Sequence, residues 1–260
     1  MPRADRVRSA GARVASSPSE AVKGVEAVIT MLADDHAVAS SVLDDGGFIQ
    51  TLSPGAVHIS MSTISVALSK RLAQEHSQRE QEYVAAPVFG RPVAAEARKL
   101  FIVAAGQQSV IERCRVLLEH LGQRLFIVGD KPEMANVVKL SGNFLIASAI
   151  ESLGEAIALA RKYDIAPHAY VDFLTNGLFA APLYKTCGTL IADERYQPAG
   201  FRLRLGLKDI QLALWQPAKP SMCRCLLPVS SGIISSPQSP VEGKNGIGAQ
   251  PQDWLPKMPA

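Results

Sequence analysis

Residues 136–145 read NVVKLSGNFL, inside a longer run, PEMANVVKLSGNFLIASAIESLGEAIALARKY, that extends from Pro132 to Tyr163. A single helical pattern of about thirty residues is well beyond the usual length in a globular domain. Lys139 and Asn143 are four apart and share one face, with Asn136 a turn earlier. Val137, Val138, Leu140, Phe144, Leu145 and Ile146 cover the rest. An ammonium carried into apolar surroundings is costly unless it has a partner or a task.

Upstream of this helix the rhythm is different. ARVA (12–15), EAVITML (26–32), AVHISMS (56–62), EYVAAP (82–87), LFIVAAG (100–106) and RLFIVGD (124–130) read as strands. DDHAVASSVLDDGGF (34–48), TISVALSKRLAQEHSQ (63–78) and QSVIERCRVLLEHLG (108–122) read as helices between them. Strands separated by helices predict a largely parallel sheet covered on both faces. Downstream, Pro167 and Pro182 each open a helix, and FRLRLGLKDIQLAL (201–214) is a further one. The expected fold class is α/β, an incomplete doubly wound Rossmann-like domain over 1–130, followed by an all-helical domain over 131–214. Residues 215–260 hold eight of the 17 prolines and both tryptophans and have no periodicity, which predicts an irregular tail.

The bulk numbers narrow the function classes. Hydrophobic residues make up 47% and charged residues 20%, enough for a core. The net charge of +3 is too small and too evenly spread for nucleic acid or a membrane surface. No apolar run is expected to reach membrane-spanning length, and the N-terminus lacks a signal-peptide core. Four cysteines without zinc spacing read as free thiols in a cytoplasmic protein. The five histidines are scattered, with no ligand spacing, so no metal site is expected.

Five pieces, in order, carry a resemblance: VITMLADD (28–35), SMSTIS (60–65), AAPVFGRPVAAEARKLFIVAAG (85–106), KLSGN (139–143) and GLKDIQLA (206–213). Together they resemble the β-hydroxyacid dehydrogenases, typified by 3-hydroxyisobutyrate dehydrogenase and related to 6-phosphogluconate dehydrogenase. The resemblance covers about residues 3 to 214 and implies hydride transfer between a nicotinamide, NAD or NADP, and a small hydroxyacid or its semialdehyde. It implies Lys139 as catalytic acid/base, with its pKa lowered by desolvation. Asn143, Phe89, Gly90 and Arg91 would bind substrate, and Leu32, Ala33, Thr63 and Lys208 would line the cofactor. Phe89 stands where the family has a serine, and a phenyl ring cannot hydrogen-bond a carboxylate, though Arg91 or backbone N–H groups can. Without the resemblance, Lys139 reads as a snorkelling surface lysine, and Lys208 as a solvated lysine paired with Asp209 or another carboxylate.

The sequence contains no G-x-G-x-x-G. Family members begin with that turn, in a unit of about thirty residues. RADRVRSAGARVA (3–15) resembles the helix and strand after it, so a chain starting inside the nucleotide domain, or a misassigned start codon, is expected. Cofactor preference is then illegible and binding impaired. The composition break after Leu214 points to a frameshift. The long helix predicts a homodimer or higher homo-oligomer. The alternative class is an inactive remnant of such an enzyme, without cofactor turnover. A third, a helical scaffold for partners, has no exposed motif behind it.

Overall fold

Strand β1 (Ala27–Thr30) pairs in parallel with β2 (Val57–Ser60), and β2 with β3 (Glu82–Ala85), so that Thr30, Ser60 and Ala85 lie side by side at the carboxyl ends. A second sheet holds β4 (Val88–Phe89) antiparallel to β5 (Leu100–Ala104), which runs parallel to β6 (Gly122–Ile127). Paired hydrogen bonds between Ala85 and Ala105, at 3.1 and 2.9 Å, join the two sheets edge to edge. These are features of a computed structural model that describes residues 7–214, apart from residue 198. The proline-rich tail and the shifted frame inferred for it lie outside the described residues.

Helix α1 (Pro18–Ala21) precedes β1, and the strands are connected by α2 (Asp35–Val42), α3 (Val66–Ser77), α4 (Pro92–Glu96) and α5 (Gln108–Leu121). Alternation along β2 explains why both sheet faces are covered: successive side chains point to opposite sides. Val57 and Ile59 join a core with Ile102, Ile111 and Leu118, while Tyr83 and Ala85 of β3 face a second core with Val38, Leu72 and Phe48. In α5 the buried residues are Val110, Ile111, Cys114 and Leu118, the spacing of one helical face.

The second core also contains a chain of buried polar groups. Gln81 donates both amide hydrogens to the carbonyls of Ile49 and Leu52, at 2.9 and 2.6 Å. Its Oε1 therefore accepts from His76 Nδ1 at 2.8 Å. That leaves His76 Nε2 to accept from His58 Nδ1 at 2.9 Å, and His58 Nε2 to accept from the Thr30 hydroxyl at 2.9 Å. Each imidazole thus has one neutral tautomer assigned by its partners. Burial, then the neighbouring His76, hold His58 well below the usual imidazole range; burial brings His76 down to about 4 against its bond to Gln81.

The chain divides into two units between Lys139 and Leu140. Helix α6 (Glu133–Lys162) begins in the first and continues into the second, which also holds α7 (Pro167–Asn176), α8 (Pro182–Ala192) and α9 (Leu203–Leu214). Leu153 and Ile157 pack with Val171, Leu174, Cys187 and Ile191. Arg161 pairs with Glu194 and reaches the carbonyls of Ile191 and Ala192, closing the end of α8.

Two expectations are corrected. ARVA is not a strand: residues 12–15 are irregular and exposed, and no strand among the described residues pairs with them. An alternating set of apolar letters does not make a strand without a partner for its backbone. Helix α6, at 30 residues with a mean hydropathy of 1.3 over its most apolar window, does reach the length and composition of a membrane span.

Candidate functional site

Helix α6 opens with Glu133 in its first turn, where a carboxylate faces the positive end of the helix dipole. Ala135 and Leu140 bury one side of it and carry Lys139 inward with them, leaving the lysine 8% exposed. Its Nζ lies 4.1 Å from the centre of the Phe89 ring. A cation over an aromatic face is attracted by the ring quadrupole. Phe89 is held there because β4 pairs with β5, Phe89 opposite Phe101. The Lys139 side chain is therefore an enclosed ammonium and not a snorkelling surface lysine. The neighbouring glycine is required: Gly90 has φ of 145°, and a Cβ there would come within 2.6 Å of Leu100 Cδ2. Arg91, next in line, is exposed where α4 begins.

Asn136, one turn before Lys139, is buried, and neither its Oδ1 nor its Nδ2 has a hydrogen-bond partner among the described residues. An enclosed amide left in that condition is costly, which marks it as a group that answers to something else.

Leu32, Ala33 and Thr63 sit just beyond the carboxyl ends of β1 and β2. Open α/β sheets bind ligands at that edge. Two cross-braces hold the loops there. The Leu32 N–H donates to Ser62 Oγ at 2.8 Å, and Ser62 donates on to the Thr30 carbonyl at 3.4 Å. The Ser65 N–H donates to Asp35 Oδ1 at 2.8 Å. Asp34 caps α2 through Ala37 N–H and Ser65 caps α3 through Leu68 N–H, so each loop ends on a fixed helix start. Met31 and Leu32 are left as exposed apolar surface beside the strand ends.

In the helical unit, Asn143 donates from Nδ2 to Asp209 Oδ2 at 2.6 Å. The Lys208 ammonium stands 2.9 Å from Asp209 Oδ1, off the hydrogen-bond direction, so this contact is an ion pair. Asp209 is buried and Lys208 is mostly covered, so the lysine is not a solvated one. The candidates thus fall into three groups: Lys139 with Phe89, the braced strand-end loops, and Asn143 with Asp209 and Lys208. Among the described residues no cluster of metal-ligating side chains occurs.

Sequence reasoning missed two contributors, Ser62 and Asp35, and gave Asn136 and Asp209 no role in the site. Ser62 and Asp35 stand inside the quoted motifs, but their bonds span thirty and more residues. Asp209 was legible only as a possible partner of Lys208. Its second partner, Asn143, lies 66 residues away.

Comparison with known proteins gives the lineage. Residues 2–129 match the NAD-binding domain of 6-phosphogluconate dehydrogenase, and residues 134–230 the NAD-binding domain of NADP-dependent 3-hydroxyisobutyrate dehydrogenase. An oxidoreductase of Bacillus subtilis is 41% identical over 204 residues, covering 78% of this chain and 71% of the relative. Glyoxylate/succinic semialdehyde reductase 1 of Arabidopsis thaliana is 31% identical over 214 residues, covering 82% and 73%. The crystal structure of 3-hydroxyisobutyrate dehydrogenase from Salmonella typhimurium superposes with a TM-score of 0.83 at 21% identity, covering 97% of this chain and 88% of that one, a likeness of fold. On two matched domains in series and relatives matched across most of their length, the chain belongs to the 3-hydroxyisobutyrate dehydrogenase-like β-hydroxyacid dehydrogenases, a family of NAD(P)-binding oxidoreductases.

Proposed function

We propose that the chain interconverts a small hydroxyacid and its aldehyde or keto form, with Lys139 as general acid/base. The observation that carries this is the enclosed Lys139 ammonium against the Phe89 ring. A side chain held so gives a proton to a carbonyl oxygen, or takes one from an alcohol, at a fixed place. Asn143, one turn on along α6, fixes an oxygen of the substrate. Phe89, Gly90 and Arg91 are assigned to the substrate as well, and Arg91 is the one of them that can pair with a carboxylate.

The residues present fit a nicotinamide dinucleotide. The unanswered amide of Asn136 offers a donor end and an acceptor end, the complement of a carboxamide. Leu32, Ala33 and Thr63 are assigned to the dinucleotide at the strand ends, and Lys208 is carried over as a cofactor residue from the family resemblance alone. Bound there, a nicotinamide supplies or takes the hydride. Glyoxylate, succinic semialdehyde and 2-hydroxy-3-oxopropionate, named for relatives, define the first substrates to test.

A second copy of the chain covers the apolar face of the helical unit in this reading. Leu145 and Leu159 of α6, Phe173 of α7, and Leu178 after it are all exposed, Leu178 at 97%. These exposed apolar side chains are the ones a partner copy would take out of water. The cytoplasm is the setting proposed, in keeping with buried free thiols at Cys114 and Cys187.

The test follows oxidation of NADH and NADPH with each aldehyde. Turnover of at least one, lost in Lys139→Ala, is expected. No turnover, together with no dinucleotide binding, would leave the inactive remnant as the account of this chain.

A further inference from the structure

We infer that Asp209 is a positioning residue that fixes the orientation of the Asn143 side chain and joins it to Lys208. The inference rests on the reading of Asn143 as a substrate contact and Lys208 as a cofactor contact.

A carboxylate on α9 at 4% exposure is an expensive group to bury, and it persists only where its oxygens are answered. Both are. Oδ2 takes the Asn143 amide at 2.6 Å, and Oδ1 faces the Lys208 ammonium at 2.9 Å. Lys208 is the adjacent residue on the same helix, so the pair is local. Asn143 comes from α6, so the second contact ties two helices of the unit together.

The chemistry of the acceptor decides what the amide does. The two ends of an asparagine side chain are nearly the same in shape, and only the partners determine which is which. An ionised carboxylate accepts and never donates. Asp209 therefore takes the nitrogen end and turns Oδ1 away from itself. A neutral partner such as Asn or Gln would permit either orientation. A fixed amide presents one arrangement of donor and acceptor to a substrate oxygen, and no fraction of molecules starts in the wrong one. A bond to an ionised group is also stronger than a neutral one, which keeps the side chain in place.

The same carboxylate holds Lys208, so the substrate-side asparagine and the cofactor-side lysine share one anchor. Removing the charge loosens both together. Removing either partner leaves the other in place.

Asp209→Asn tests this, because it keeps the volume and removes the charge. With the Asn143 side-chain amide isotope-labelled, the parent protein without ligand should show one amide proton far downfield and slow to exchange. In Asp209→Asn that signal should move upfield and exchange faster, while the thermal transition shows the protein still folded. Lys208→Gln, which leaves the Asp209–Asn143 bond intact, should retain the signal and covers the case in which Asp209→Asn fails to fold. In turnover, Asp209→Asn should lower kcat by about ten- to a hundredfold. Asn143→Ala added to it should cost little more, since two residues acting as a unit are not additive.

An unmoved amide signal in Asp209→Asn, its loss in Lys208→Gln, or full additivity with Asn143→Ala would overturn the inference. If the parent turns over nothing, the proposed reaction falls. The amide signal then decides by itself whether Asp209 holds Asn143.

Discussion

Acidification should unfold the nucleotide-binding unit in a pH range where surface carboxylates stay ionised. The cause is the buried run from Thr30 through His58 and His76 to Gln81. Both imidazoles must remain neutral to keep their assigned bonds, and burial depresses both pKa values, that of His76 to about 4. In the unfolded chain each titrates at about 6.5. Above that value neither state binds the proton and stability is level. As the pH falls below it, the unfolded chain takes up protons that the folded one refuses, and stability is lost until the folded group titrates as well. One histidine contributes a slope of about 1.4 kcal/mol per pH unit, so His76 alone costs about 3 kcal/mol between pH 6.5 and 4. His58 steepens that slope in the same sense. Glu151, whose carboxyl is pushed up by burial and by Glu155, titrates in the opposite sense, but it lies in the helical unit. Against a total of about 5–15 kcal/mol, the histidine loss is large. The assay is urea unfolding at half-unit steps from pH 8 to 4.5, on the parent and on His76→Phe. The substitution should lower stability at pH 8 by about 2–4 kcal/mol, because it strands His58 Nδ1 and Gln81 Oε1. It should also flatten the acid slope. A parent stability that stays level from pH 7 to 5 would refute the reasoning.

Other expectations rest on single contacts. Asp34→Ala removes the cap of α2 and should cost about 1 kcal/mol in denaturant unfolding, with the cross-brace from Asp35 to Ser65 untouched. Gly122→Ala should cost about 1–3 kcal/mol by the same measurement, since a Cβ there would stand 2.6 Å from the Leu100 carbonyl, which cannot move without breaking β5 from β6. Sedimentation should give a homodimer whose Leu178→Glu variant is monomeric; a monomeric parent would contradict the interface proposed for the helical unit.

The parts of the fold legible in the sequence are those that local pattern determines. β2 is a short run, Val57–Ser60, buried on both faces, and α6 is a long helical pattern with an acidic start. Both depend on burial that neighbouring residues share. β4 is only two residues, Val88 and Phe89, and owes its existence to β5. Without that pairing the same letters read as a loop. ARVA shows the converse, apolar letters with no partner. The site follows the same division. Lys139 and Asn143 share a helix face, so their spacing displays them. The bonds of Leu32 to Ser62 and of Asn143 to Asp209 depend on elements that tertiary folding brings together. His58 and His76 show no ligand spacing, yet they meet at 2.9 Å because α3 packs on β3, the strand beside β2.

The central claim is that Lys139 moves the proton that accompanies hydride transfer. Single-turnover oxidation of reduced cofactor at several pH values, with an aldehyde the parent reduces, tests it most directly. Lys139→Ala should slow the transfer by about two to four orders of magnitude and abolish the parent's pH dependence, while affinity for the reduced cofactor changes little. Lys139→Arg should fail to restore the rate, because a guanidinium does not release its proton near neutral pH. A Lys139→Ala protein that keeps the parent rate and pH profile would contradict the account.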